Sequence, residues 1–157
     1  MPLPKIPVKF LHLGAAGLIT LALAEGLRID AYLDTVGVPT IGYGETEGVK
    51  LGDKTTPTKA LVKLLKSADE KHGQGIRKCI GDDIEMYQKE FDWHLNFGYN
   101  IGIAGYCRSE TLKKLKEGKH EEACKAMGGW MRPIEIKGRR EKEIAGCLAA
   151  IKEGDNG

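Results

Sequence analysis

Only one stretch of this chain reads as β structure, and helical patterns lie on both sides of it. Residues 32–52 are rich in Gly and β-branched side chains. Within them Tyr32-Leu33, Val38–Tyr43 and Val49–Leu51 predict short strands. Thr35-Val36-Gly37 and Glu45–Gly48 predict the turns of a small antiparallel hairpin or meander. Ahead of it, a helical pattern runs from about Leu11 to Ile29. Behind it, Thr56 resembles an N-cap with Pro57 at the first helical position. Leu61, Leu64, Leu65 and Ala68 then recur on one helix face, and Gly73 and Gly75 mark its end or its last turns. The remainder reads helical. Asp82 or Asp83 caps a helix carrying Tyr87, Phe91 and Leu95. Ser109 caps one carrying Leu112 and Leu115, stopped by Gly118. His120–Met131 carries Ala123, Met127 and Trp130, and a last helix from about Arg139 carries Ile144, Cys147, Leu148 and Ile151. The expectation is an α+β fold in one domain over residues 1–157. It has a first segment at 1–24, a small β-hairpin N-terminal lobe at 32–55, a connecting helix at 57–79 and a helical C-terminal lobe at 82–157.

Composition removes several function classes. Lys plus Arg is 24 and Asp plus Glu is 22, so the net charge of +2 makes no case for a nucleic-acid partner. The four cysteines contain no Cys-x-x-Cys pair, and the four histidines sit at no metal-ligand spacing, so a zinc site is not expected. Cys79, Cys107, Cys124 and Cys147 are packed thiols in a reducing compartment. In an exported chain they pair as Cys79–Cys107 and Cys124–Cys147.

Residues 10–24 form a run without formal charge, preceded by Lys5 and Lys9 and ending in Ala22-Leu23-Ala24. The run is shorter than the ~18 apolar residues of a stable transmembrane helix, and Gly14, Gly17, His12 and Thr20 keep it weakly hydrophobic. It imitates a secretory signal. Cleavage after Ala24 would delete the helix that holds Glu25, so that reading ranks below an uncleaved export anchor or a plain core helix.

The densest polar constellation follows at once: Glu25-Gly26-Leu27-Arg28, Ala31-Tyr32-Leu33-Asp34 and Thr40-Ile41-Gly42-Tyr43-Gly44. Glu25 falls at the negative end of the first helix, where the macrodipole and apolar neighbours would favour a protonated acid. Asp34 falls in a polar turn that leaves it ionised. Two carboxyls in unlike settings are what glycosidic cleavage needs, one protonating the leaving oxygen and the other serving water or the sugar carbon. Thr40, across the hairpin, is placed to hold the water. The plain alternative is a surface acid and a turn acid. Lys137, Arg139, Arg140 and Lys142 read as a solvated helix start, or else as a contact for anionic wall or membrane groups.

The segment EGLRIDAYLDTVGVPTIGYGET, Glu25–Thr46, resembles the T-even phage lysozyme group, glycoside hydrolase family 24, and its lambdoid-type endolysins in particular. It reproduces the family's Glu-Gly-x-x-x-x-x-Tyr-x-Asp followed by Thr-x-Gly-x-Gly. Phe97–Gly102 is similar to the family's Tyr-Asn-x-Gly segment, Cys107-Arg108-Ser109 follows as in exported members, and Trp130–Pro133 leads into Gly138–Glu141. Many relatives carry His where this chain has Glu45 and others carry Glu, and some exported ones carry Cys at the position of Gly42.

The resemblance implies a lysozyme-like fold and a muramidase with Glu25 as the acid, Asp34 as the second carboxylate and Thr40 as its partner. It implies peptidoglycan glycan strands as the substrate, a monomer, no cofactor, and a phage-encoded protein acting in host lysis. Several exported relatives begin with a signal-arrest-release segment, and residues 10–24 have that character. Transient inner-membrane association and a periplasmic site of action are therefore expected, with host cytoplasm and holin-dependent release as the alternative. Two rival readings are a lytic transglycosylase, which needs no second carboxylate, and a non-enzymatic wall- or membrane-binding protein.

Overall fold

The structure, a computed structural model, describes residues 1–157. Strand β1 (Ile6–Pro7) leads to helix α1 (Ala15–Glu25), then strands β2 (Arg28–Leu33) and β3 (Pro39–Gly42). A long connecting helix follows, made of α2 (Pro57–Leu65), a π-helical stretch (Lys66–Gly73) and α3 (Gln74–Ile80). Strand β4 (Glu85–Met86) and helices α4 (Gln88–Ile101), α5 (Ile103–Cys107), α6 (Glu110–Lys116), α7 (His120–Ala126) and α8 (Lys137–Asn156) complete the chain. This is the expected α+β architecture, lysozyme-like in its pairing of a small hairpin with a helical body.

Each boundary has a local cause, and several differ from the sequence expectation. Helix α1 stops at Glu25 and not at Ile29, because Gly26 takes φ +74° and caps it through a bond from its N–H to Ala22 O at 3.0 Å. Arg28–Leu33 is therefore free to form β2. It pairs antiparallel with β3, Tyr32 opposite Thr40 and Leu33 opposite Pro39. Val49–Leu51 is turn and not strand. The third pairing on β2 comes later, where Ala31 N donates to Asp53 O at 3.0 Å and Thr55 N to Ile29 O at 2.9 Å. Thr56 caps α2 by accepting from Lys59 N at 3.2 Å, with Pro57 in the first turn.

Gly73 and Gly75 fall in the last turns of the connecting helix, the second of the two places expected for them. A Cβ at Gly73 would lie 2.9 Å from the Arg77 guanidinium, and one at Gly75 2.8 Å from Ile103, so these glycines allow close approach. The helix ends at Gly81, with φ +93°. Asp82 and Asp83 cap nothing. Residues 85–86 are taken up by β1, so α4 starts at Gln88, where the Tyr87 N–H donates to Glu90 at 3.3 Å. Ser109 caps α6 through Leu112 N at 3.1 Å. Helix α8 begins two residues earlier than expected, at Lys137.

The core is the helical body: Ile76, Ile80, Phe91, Leu95, Phe97, Tyr106, Leu115 and Met127 are fully or almost fully buried. The hairpin contributes only Ile41 to the buried apolar residues. Two disulfides, Cys79–Cys107 and Cys124–Cys147, staple the body, in the pairing expected of an exported chain. Helix α1 buries Gly17 and Leu21 while Ile19 and Leu23 stay exposed. No helix is long and apolar enough to cross a membrane.

Helix α1 docks on α4 through a buried carboxylate. Asp92 accepts from Gly14 N at 2.9 Å and from Gln88 Nε2 at 3.0 Å. A Cβ on Gly17 would meet Asp92 Cγ at 2.6 Å. Gly17→Val should therefore cost about 1–3 kcal/mol by overpacking, read as a lowered thermal midpoint.

His94 supplies a second prediction. It is fully buried, with Nδ1 2.8 Å from the Tyr106 hydroxyl and Nε2 without a partner. Burial drives its pKa from the ordinary 6.5 down to about 4; the Glu90 charge opposes this and His120 adds to it. Between those values the unfolded chain binds more protons, so stability present at neutral pH is lost as pH falls from about 6.5 towards 4, by roughly 3 kcal/mol. Asp92, raised by burial above 3.8, acts in the opposite sense as pH falls. Denaturant melts from pH 7 to pH 4 should therefore show a steeper loss for the native chain than for His94→Gln.

Candidate active site

Glu25 is the last residue of α1, and its side chain is 22% exposed. The apolar setting expected for it is replaced by an ion pair: Arg139 Nη1 donates to Glu25 Oε1 at 2.9 Å. The same guanidinium donates to Glu143 Oε1 at 3.0 Å and to Asn96 Oδ1 at 3.2 Å. Arg140, next along α8, is completely buried. It donates to Glu143, to Asn100 and, at 2.9 Å, to Trp130 O, and its guanidinium lies over Phe97. The basic cluster is thus not a solvated helix start. Lys137 and Lys142 are on the outside, while Arg139 and Arg140 turn inward because Glu143 stands one helical turn further on, at i+4 and i+3.

Asp34 lies at the far end of β2 in an Asx-type turn. Its Oδ1 accepts from Val36 N at 2.9 Å and from Val38 N at 2.8 Å. All its side-chain bonds use that one oxygen, which leaves Oδ2 open. Thr40 is buried in β3, and its hydroxyl donates to Val38 O at 2.9 Å, leaving the oxygen's lone pairs available to accept. Asp34 and Thr40 are therefore registered on one another through a single residue, Val38. Glu25 is hydrogen-bonded to neither; it is joined to the helical body through Arg139.

Tyr99 stands near both parts. Burial holds its phenol above the ordinary value, against the hydrogen bond with Ser67, and the Glu25 and Glu45 carboxylates push it the same way as burial. Asp92, Asn96, Tyr99 and Asn100 fall at i, i+4, i+7 and i+8 of α4, one face directed at α1, α8 and the hairpin. Sequence reasoning singled out Tyr99 and Asn100 within the similar segment but missed Asn96 and Glu143, and it put Arg139 in solvent. The Arg-Arg-x-x-Glu spacing on α8 was the signal that could have found the pair.

A sequence model of one family, described as phage lysozyme, matches residues 22–147. A SAR-endolysin of Pseudomonas phage phiKMV is 33% identical over 147 residues, spanning 85% of this chain and 87% of that protein. The endolysin of Salmonella phage P22 is 25% identical over 143 residues, spanning 86% and 97%. Among solved structures, the endolysin from Escherichia coli O157:H7 phage FAHEc1 superposes with a TM-score of 0.80 at 32% identity, covering 88% of this chain and 94% of the other. A crystal structure of P22 lysozyme gives 0.75 at 27% identity, covering 88% and 99%. On the extent of that sequence match, together with the fold it shares with these endolysins, the chain belongs to the phage lysozyme family.

Proposed function

We propose that the protein is a muramidase that hydrolyses the β-1,4 bond between N-acetylmuramic acid and N-acetylglucosamine in peptidoglycan during host lysis. The observation that carries this reading is the unequal anchoring of the two carboxyls. Glu25 is held from behind by one guanidinium, while Asp34 is fixed through one oxygen only and keeps the other free.

In this reading Glu25 is the general acid and gives its proton to the departing glycosidic oxygen. Asp34 Oδ2 and the Thr40 hydroxyl serve the opposite face, where a water donates to the threonine oxygen and is oriented by the carboxylate. Arg139, Glu143 and Asn96 are positioning residues: they act on Glu25 and not on the sugar. The single domain, with its β lobe at 32–55, connector at 57–79 and helical lobe at 82–157, supplies the two walls between which a glycan strand lies. No step requires a metal or an organic cofactor.

Membrane association through residues 10–24 belongs to the same reading. Ile19 and Leu23 are exposed on α1, more than a plain core helix would leave. Relatives named SAR-endolysins from phages phiKMV and PS119 support an export route of this kind.

Glu25→Gln should lower wall hydrolysis by about 10²- to 10⁴-fold while the thermal midpoint stays near that of the native chain. Asp34→Asn should also reduce activity severely. The assay is turbidity loss of outer-membrane-permeabilised Gram-negative cells, with mass spectrometry of the digest. Reducing ends are expected. 1,6-anhydro ends would assign a transglycosylase, and an intact wall a binder.

A further inference from the structure

Three helices of the body bring a histidine and two cysteines together. His94 lies on α4, Cys124 on α7 and Cys147 on α8. All three are completely buried. One ring nitrogen of His94 and the two sulfurs lie within 4.8 Å of one another. The other pair, Cys79–Cys107, has no such third group beside it. Spacing along the chain gives no sign of this cluster, because its members come from separate helices.

The histidine is the unexplained member. Its Nδ1 is 2.8 Å from the Tyr106 hydroxyl, and its Nε2 has no partner although the ring is sealed from water. Buried polar atoms are almost always paired, so an orphan nitrogen needs a reason. In the oxidised chain the two sulfurs are bonded to each other and offer the ring nothing. In the reduced chain they are two thiols, which give up their protons to a thiolate-seeking metal ion. A metal-bound histidine commonly donates its other ring N–H to a fixed acceptor. Tyr106 supplies that acceptor: with the proton on Nδ1 and donated to the hydroxyl, Nε2 presents its lone pair.

The Cα atoms of Cys124 and Cys147 are 5.7 Å apart. Rotation about the two Cα–Cβ bonds separates the sulfurs towards the roughly 3.8 Å that two thiolates need on one tetrahedral ion with bonds of about 2.3 Å. Two thiolates and an imidazole select a soft closed-shell cation, Zn²⁺ or Cu⁺, over the hard ions that carboxylates bind.

We propose that the reduced protein holds such an ion on His94, Cys124 and Cys147. The metal then ties α4, α7 and α8 together where, after oxidation, the disulfide ties α7 to α8. This inference is independent of the muramidase reading. Binding releases the two thiol protons. In the later exchange a disulfide oxidant takes two electrons from the thiolates and two protons from water, and departs as two thiols. The Cys124–Cys147 bond forms and the ion is released.

The test uses the full chain reduced with a phosphine and titrated with Zn²⁺ and, in the absence of air, with Cu⁺. Native mass spectrometry should find one ion per reduced chain for at least one of the two metals, with a raised thermal midpoint, and none on the oxidised chain. Cys79→Ser with Cys107→Ser should bind as the native chain does, while Cys124→Ser with Cys147→Ser should not bind. Loss of an outer hydrogen-bond partner costs a metal-bound histidine 10- to 100-fold in affinity, so His94→Gln, which removes the ligand itself, should weaken binding by at least about tenfold. X-ray absorption at the metal edge of the native reduced chain should show two sulfurs and one imidazole nitrogen, and this readout depends on no variant folding. Failure of both metals to bind, a metal shell of four sulfurs or of none, or equal affinity in His94→Gln overturns the proposal.

Discussion

One guanidinium ties the candidate acid to the rest of the molecule. Arg139 reaches from α8 to Glu25 on α1 and Asn96 on α4, across sequence separations of 114 and 43 residues. It also shares Glu143 with the fully buried Arg140. Buried ions are tolerated only when paired and hydrogen-bonded, and removing one partner typically costs 3–5 kcal/mol. The Arg140–Glu143 pair meets that condition through Asn100 and Trp130 O as well. The network is therefore expensive to disturb, and Glu25 inherits its position from a rigid assembly and not from the end of a short helix.

The other support of Glu25 is the seat of α1 itself. Helix α1 is only eleven residues long and buries little, so its own apolar surface does not hold it. Polar clamps do. Asp69, on the π-helical stretch, accepts from Leu13 N at 2.8 Å, from His12 at 2.8 Å and from Arg77 at 3.1 Å, while Arg77 also donates to Leu11 O. The bonds from Leu13, His12 and Arg77 hold the Asp69 carboxyl below its ordinary range in spite of the burial that opposes them. Asp92 grips Gly14 from the other side. A weakly hydrophobic helix seated by carboxylates and glycines is compatible with a segment that also has another environment available to it, since little of its apolar surface is committed to the core.

How far the sequence could be read depended on the range of the interaction involved. The hairpin turns, the Thr56 and Ser109 caps and the helical faces around Phe91 and Leu112 follow from local chemistry and were legible. Glu25, Asp34 and Thr40 stood out as candidates because carboxyl and hydroxyl spacing is a local pattern. What failed depended on partners distant in sequence. Asp82 and Asp83 lost their capping role because β1, almost eighty residues earlier, pairs with residues 85–86. Gly75 has its close neighbour, Ile103, nearly thirty residues away, so the reason for that glycine was not readable locally. Arg139 looked solvated because two of its partners, Glu25 and Asn96, lie on α1 and α4, although Glu143 stands only four residues on.

The π-helical stretch is the strongest case of this kind. No residue in Lys66–Gly73 forbids an α-helix, and an α-helical reading spreads Lys66, Ser67, Lys71 and His72 around the axis. The wider turn gathers them, and the hydrogen bond from His72 back to Ser67 records the change. Glu45, at the hairpin tip, makes no ion pair. A carboxylate left free at a hairpin tip, opposite lysines gathered by a helical irregularity, gives up whatever stability a pair would supply. The hairpin tip and the lysines face one another across a single groove. That makes the connecting helix more than a spacer between the lobes: its pitch decides which charges the cleft presents.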